Sequence, residues 1–116
     1  MKTHKDLDVY KNAIDFVSEV YKLTSHFPKD EIYGLTSQMR RAAVSIPSNI
    51  AEGSARNHSK EFKQFLYISL GSASELDTLL FIALNLGLIN KETQNDLLNK
   101  LTISQMLQGL IKSLNA

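Results

Sequence analysis

A chain of 116 residues, 43% of them hydrophobic, is long enough to bury a core of its own. It has no cysteine, which excludes disulfides and thiolate metal sites and leads to the expectation of a reducing, cytoplasmic location. A net charge of +1 excludes a strongly basic nucleic-acid coat. The charge is nevertheless uneven. Residues 31–63 carry Arg40, Arg41, Arg56, Lys60 and Lys63 against Glu31, Glu52 and Glu61, an excess of +2, whereas residues 1–30 balance and residues 64–116 sum to −1. A homo-oligomer would repeat that central excess around its surface. The opening Met1-Lys2-Thr3-His4-Lys5 lacks the apolar run of a signal peptide. No stretch holds the ~18 uninterrupted apolar residues of a membrane span, so no membrane partner is expected.

Apolar residues recur at helical rather than alternating intervals, with only two prolines and five glycines to interrupt them. The spacing predicts a first helix over about residues 7–25, with Val9, Ala13, Phe16, Val17, Val20 and Thr24 on one face. Asp6 and Asp8 suit its positive end, and Phe27-Pro28 stops it, because proline drives its predecessor out of the helical region. A second helix is expected over about 30–54, its start falling between Lys29 and Thr36. Leu35, Met39, Ala42, Ala43, Ile46 and Ile50 form its core stripe. Pro47 removes the bond to the Ala43 carbonyl at a cost of ~3 kcal/mol. The stripe keeps its phase across the proline, which favours one kinked helix over two short ones. Ser45, Ser48 or water would then serve the freed backbone groups, and Gly53 would supply a left-handed stop.

A third helix over about 59–86 starts with Ser59 as N-cap and Glu61 in its first turn, and ends at Gly87. Phe62, Phe65, Leu66, Ser69, Ala73, Leu76, Leu80 and Ala83 make its core face. Ile68, Gly71, Glu75, Ile82 and Leu86 fall on the opposite side, and large apolar residues there mark a second partner. A fourth helix over about 91–114 is capped by Asn90 and carried by Leu97, Leu98, Leu101, Leu107, Leu110, Ile111 and Leu114. Short connections make successive helices antiparallel neighbours. The expected architecture is an all-α, up-down-up-down four-helix bundle, a single domain over residues 1–116. The second helix also shows a small-residue stripe of Val44, Pro47 and Ala51 beside its core stripe. A helix with two apolar surfaces needs two partners, so the bundle is expected to assemble with copies of itself through Val44, Pro47, Ala51, Ile68, Gly71, Glu75 and Ile82.

Several motifs occur in order along the chain: Asp6-Leu7-Asp8-Val9-Tyr10-Lys11, Val20-Tyr21-Lys22-Leu23-Thr24, Phe27-Pro28 followed by Glu31, Tyr33-Gly34-Leu35 and Gln38, Arg40-Arg41-Ala42, Ser45-Ile46-Pro47-Ser48-Asn49-Ile50-Ala51-Glu52-Gly53, Phe65-Leu66, and Gly71-Ser72-Ala73 followed by Glu75-Leu76. Together they resemble the bacterial four-helix bundle family of 23S rRNA intervening-sequence proteins. The likeness runs through the third helix, and the fourth is generic. What the resemblance implies is a homopentamer of four-helix protomers. Its relatives include the accessory variability protein of diversity-generating retroelements, which is similarly pentameric and basic and associates with a reverse transcriptase and nucleic acid. This chain departs from that relative in being nearly neutral.

Arg40, Arg41, Arg56, Lys60 and Lys63 are the candidate nucleic-acid contacts, since an arginine fork suits two phosphate oxygens and lysine adds sequence-independent attraction. Each has a structural alternative. Arg40 and Arg41 could bridge helices or subunits through Glu52, Glu75 or Asp77, and Arg56, Lys60 and Lys63 could form an ordinary solvated corner with His58, Arg56 pairing with Glu52 one turn away. Glu75 and Asp77 occupy unusual places for acids and are read as interface ion pairs. His4, His26 and His58 are scattered and form no metal-binding helical pair, so neither a metal nor a cofactor is expected. Tyr10, Tyr21, Tyr33 and Tyr67 read as amphipathic packing residues. No arginine is followed four to six residues later by histidine, the spacing a HEPN-type RNase would need. No nucleophile–base pair or phosphate loop can be assembled, so no enzymatic activity is expected. Two functions remain: a non-catalytic oligomeric scaffold that binds RNA or DNA weakly, or an adaptor for a nucleic-acid enzyme such as a reverse transcriptase.

Overall fold

The computed structural model describes residues 3–115, without the side chain of Asp6. The expectations placed on Met1, Lys2, Ala116 and the Asp6 carboxylate lie outside the described residues. Helices α1 (Asp8–Thr24), α2 (Leu35–Ser54) and α3 (Ser59–Asn85) are followed by two shorter ones, α4 (Lys91–Lys100) and α5 (Ile103–Leu114). Short 3-10 turns cover His4–Asp6 and Lys29–Glu31, and no strand occurs among the described residues. The molecule is a bundle of four rods, with α4 and α5 forming the last.

The packing order follows from which faces are apolar. α1 lies on α2, α2 on α3, α3 on α5, and α5 closes back on α1. Contacts at matched heights give the directions. The Ser45 and Ile46 level of α2 meets Ser72 and Ser69 of α3, while Gly53 at the end of α2 meets Phe62 and Phe65 near the start of α3. Asn12 meets Met106, and further along α1 Glu19 meets Lys100. Lys63 near the start of α3 meets Asn115 just beyond α5. Each neighbouring pair is antiparallel. The predicted stripes lie inward: Val9, Ala13, Phe16, Val20, Leu35, Met39, Ala42, Ala43, Ile46, Ile50, Leu66, Ala73, Leu76, Leu80 and Ala83 are all buried.

The ends of the helices differ in detail from the spacing argument. The first turn of α2 is served by Glu31, whose Oε1 accepts from the Leu35 amide at 3.2 Å. Gly53 is not a left-handed stop, because the helix continues to Ser54. The left-handed residue is Asn57, with φ 62°. Gly53 instead permits close approach, since a Cβ there would sit 2.6 Å from Phe65 Cβ. The reversal at Asn57 places His58, not Ser59, in the extended N-cap position of α3, with no side-chain cap. At its far end α3 stops as expected. Gly87 has φ 77°, and the Leu88 and Gly87 amides donate to the Ala83 and Leu84 carbonyls, the Schellman arrangement. Asn90 caps α4 by accepting from the Thr93 amide at 2.8 Å.

The expected fourth helix is broken at Leu101–Thr102. The reason lies in the side chains. Leu97 and Leu101 are buried, and so are Ile103, Leu107 and Ile111. Leu101 and Ile103 are two residues apart, which in a continuous helix would put them about 200° apart around the axis. A turn between them lets both face the core. α3 is long and apolar enough, by length and composition, to cross a membrane, but its apolar residues are divided between a core face and an outward face.

Candidate nucleic-acid interface

The five predicted cationic residues fall into two groups. Arg40 and Arg41 lie on the first half of α2, whereas Arg56 follows its end. Fifteen residues of helical rise put the groups roughly 22 Å apart, so the fold does not gather them into one site.

Arg40 is committed to the protein. Its Nε donates to Thr24 Oγ1 at 2.8 Å, its Nη2 donates to the Tyr21 carbonyl at 3.5 Å, and its guanidinium lies 4.5 Å from the Tyr21 ring centre. Thr24 is buried and itself donates to the Val20 carbonyl at 2.8 Å. Positive charge here sits at the last turn of α1, the favourable sense for a helix dipole. The bridge between helices expected for Arg40 exists, but through a hydroxyl, a carbonyl and a ring, not a carboxylate.

Arg41 is exposed and borders a groove of about 430 Å³ between α2 and α3, lined also by Gln38, Ala42, Ser45, Ser72 and Glu75. Serine chemistry joins its walls. Ser72 Oγ donates to Ser45 Oγ at 2.8 Å, and Asn49 Nδ2 donates to the Ser45 carbonyl and hydroxyl at 2.8 and 3.0 Å. Ser69, fully buried, donates to the Ile46 carbonyl at 2.9 Å. Asn49, Ser69 and Ser72 thus serve the Ser45 and Ile46 carbonyls and the Ser45 hydroxyl just before Pro47, a role that spacing did not reveal. Pro47 itself lies inside an uninterrupted α2.

Arg56, Lys60 and Lys63 gather at the α2–α3 corner. Arg56 is exposed, pairs with Glu52 at 3.7 Å, and lies over the Phe65 ring at 5.1 Å. The Glu52 pair is the one-turn contact expected from the sequence. Lys60 is exposed, and Lys63 donates to Asn115 Oδ1 at 2.7 Å. His58 is exposed beside them and borders a small cavity of about 220 Å³ with Gly53, Ser54, Asn57, Ser59 and Phe62. The positive end of the long α3 opens at this corner without a side-chain cap. Chemically the corner offers cations and free amide donors to an anion.

The residues predicted at a self-association surface occupy two places. Val44 is 39% exposed and Ala51 half-buried. Pro47 is buried within the single protomer and forms the floor between them. These three line a groove of about 280 Å³ with Tyr10, Ile14, Val17 and Ser48, between α1 and α2. Ile68, Gly71, Glu75 and Ile82 lie on the outward face of α3, all exposed, together with Tyr67, Phe81 and Leu86. Among the described residues neither Glu75 nor Asp77 forms an ion pair. Tyr33 is 96% exposed, so it is no packing residue, and it stands with exposed Ile32 on the loop before α2. Among the described residues no three His, Asp or Glu side chains converge as metal ligands would.

The sequence model of the family described as 23S rRNA-intervening sequence protein matches residues 5–109. No curated protein matches the chain. The chain is similar to a solved structure from Bacteroides thetaiotaomicron VPI-5482, a protein of unknown function from the S23 ribosomal protein family. The two are 24% identical and superpose with a TM-score of 0.79 over 90% of this chain and 98% of the other. At that identity the likeness concerns the fold.

Proposed function

Since this chain belongs to the 23S rRNA-intervening sequence protein family, we propose that it is a non-catalytic, homo-oligomeric scaffold of the cytoplasm that holds RNA or DNA weakly by its phosphates. The carrying observation is the α2–α3 corner, where Arg56, Lys60 and Lys63 surround the uncapped start of α3. Three cations on one protomer give weak attraction, and repetition around a ring, five-fold by family resemblance, multiplies it. Arg40 has no part in this contact, because its guanidinium is spent on α1. The contact is sequence-independent, as expected where phosphates and not base edges are met. Anisotropy of a labelled single-stranded RNA tests it. Binding at low salt should weaken at least tenfold when Arg56, Lys60 and Lys63 all become Glu. No binding by the unaltered protein at tens of micromolar would reject the reading.

The alternative is an adaptor for a nucleic-acid enzyme, with no direct contact to RNA or DNA. It draws support from Ile32 and Tyr33, which present apolar surface at one end of the bundle. Pull-down from the native host with and without nuclease separates the two. A partner lost on nuclease treatment speaks for the scaffold, and one retained speaks for the adaptor.

A further inference from the structure

We propose that α4 is a strap that unwinds on its own, between anchors at Ile89 and Leu101, while the rest of the bundle stays folded. Two of its ten residues are apolar, Leu97 and Leu98, and two are buried, Gln94 and Leu97. Ten residues are fewer than the ~12–15 that hold an isolated helix in water, so α4 persists only through what it packs against. It lies on α3. Its ion-pair tie to α1, among the described residues, is Lys100 with Glu19 at 3.3 Å, exposed and therefore weak. Both flanks are better held. Ile89 and Leu101 are buried, and past the break α5 buries Ile103, Leu107 and Ile111. Gly87 at φ 77° on one side and the turn at Leu101–Thr102 on the other interrupt the regular helix. Unwinding of α4 therefore need not spread into α3 or α5.

Gln94 sets the balance. Its side chain is fully buried, and among the described residues its Nε2 meets no acceptor. Its Oε1 accepts from Lys91 Nζ at 2.9 Å. Turning the amide over would set its NH2 group against the ammonium and strand the oxygen instead, so one polar atom lacks a protein partner in either orientation. A buried donor without an acceptor favours the state in which water reaches it. Here that state is α4 unwound. Opening gives up the burial of Leu97 and the Asn90 cap, and it returns the Gln94 amide to solvent. The long helices have no such exit, since α2 buries nine residues and α3 seven. Unwinding also bares the side of α3 that α4 covers. The last turns of α3 carry buried Leu79, Leu80 and Ala83, so the same event opens a transient apolar slot at that end of the bundle. Segments of low local stability are the ones a fold can move without unfolding.

Native-state hydrogen exchange of the full chain, followed by residue at rising urea below the unfolding transition, tests the strap. The amides of Leu97, Leu98 and Lys100 should exchange about a hundredfold faster than those of Leu76, Leu80 and Ala83 in α3. Their rates should also be nearly independent of urea, because a local opening exposes little surface. The amides of Leu107 and Ile111 in α5 should behave like those of α3. Gln94→Met keeps the length of the side chain and removes the amide, and it should slow exchange in α4 by about tenfold. Protection in α4 equal to that in α3, with the same urea dependence, would overturn the independent strap, and this reading needs only the unaltered protein. Fast exchange shared by α4 and α5 would make the whole last rod the mobile unit and overturn the anchor at Leu101. A Gln94→Met chain whose α4 exchanges as fast as before, or faster, would overturn the part given to the buried amide.

Discussion

Gly53 occupies a place where a methyl group has nowhere to go. Alanine there would gain up to ~1 kcal/mol of helix propensity, but its Cβ would lie 2.6 Å from Phe65 Cβ, an atom fixed close to the backbone of α3. The helices must separate to admit it, and overpacking of this kind costs about 1–3 kcal/mol. Gly53→Ala should therefore lower stability in urea by a net ~1–2 kcal/mol. Gly109 is the control, exposed in α5 with nothing within 4 Å of an added Cβ. Gly109→Ala should stabilise by about 0.5–1 kcal/mol. Arg40 and Arg56 make a second contrast. Arg40→Ala removes the bond to buried Thr24 and should lower the melting temperature while leaving RNA affinity unchanged. Arg56→Ala breaks an exposed ion pair and a contact over the Phe65 ring, both at the surface, and should do the reverse. An arginine in the sequence thus says nothing about role until its neighbours are known.

At the scale of the element, the break between α4 and α5 follows from the demand to bury both Leu101 and Ile103. Ile103 is fully buried, so Ile103→Ala should cost about 2–5 kcal/mol by loss of packing and creation of a cavity. Thr102 is exposed at the break, and replacing it should cost far less. Lys100, at the end of α4, ties the break to α1. Its Nζ lies 3.3 Å from both Asp96 and Glu19. Hydrogen bonds that it donates to Asp96 first and Glu19 second raise its proton affinity above the ordinary lysine value. A group whose pKa is raised by folding stabilises while it is protonated in the unfolded chain as well. That contribution is present below the lysine's ordinary pKa and is lost as pH climbs through the raised value. Denaturation of the unaltered protein and Lys100→Met should therefore differ slightly at neutral pH and converge in strong alkali. The turn of α2 that holds Pro47 tells a similar story. The phase of Ala43, Ile46 and Ile50 was readable across the proline, whereas the help from Ser69 and Asn49 comes from a neighbour and from the next turn.

For the whole molecule the decisive quantity is apolar surface left outside. Among the described residues ten large hydrophobic side chains are exposed on one protomer. Those on α3 and along the α1–α2 groove form continuous faces, the kind that mark an interaction site. Salt dependence reports on the other property of the whole, its charge. Three phosphate contacts per protomer predict a slope of about −2 in the logarithm of RNA affinity against the logarithm of salt. A steeper slope would mean that corners on several protomers act on one strand. A slope near zero would leave no phosphate contact to explain.

The sequence by itself determined the helices, the stripes they bury and the family, because a helical period of apolar residues and a set of ordered motifs are properties of single segments. It also showed that surplus apolar residues lie on α3 and beside the core stripe of α2. Only the tertiary structure decided that Arg40 belongs to α1, that Gly53 serves close packing, that Asn57 makes the reversal, and that the last rod must break. Each of these depends on what a neighbouring element presents at one height in the bundle, and the chain's own spacing carries no record of that.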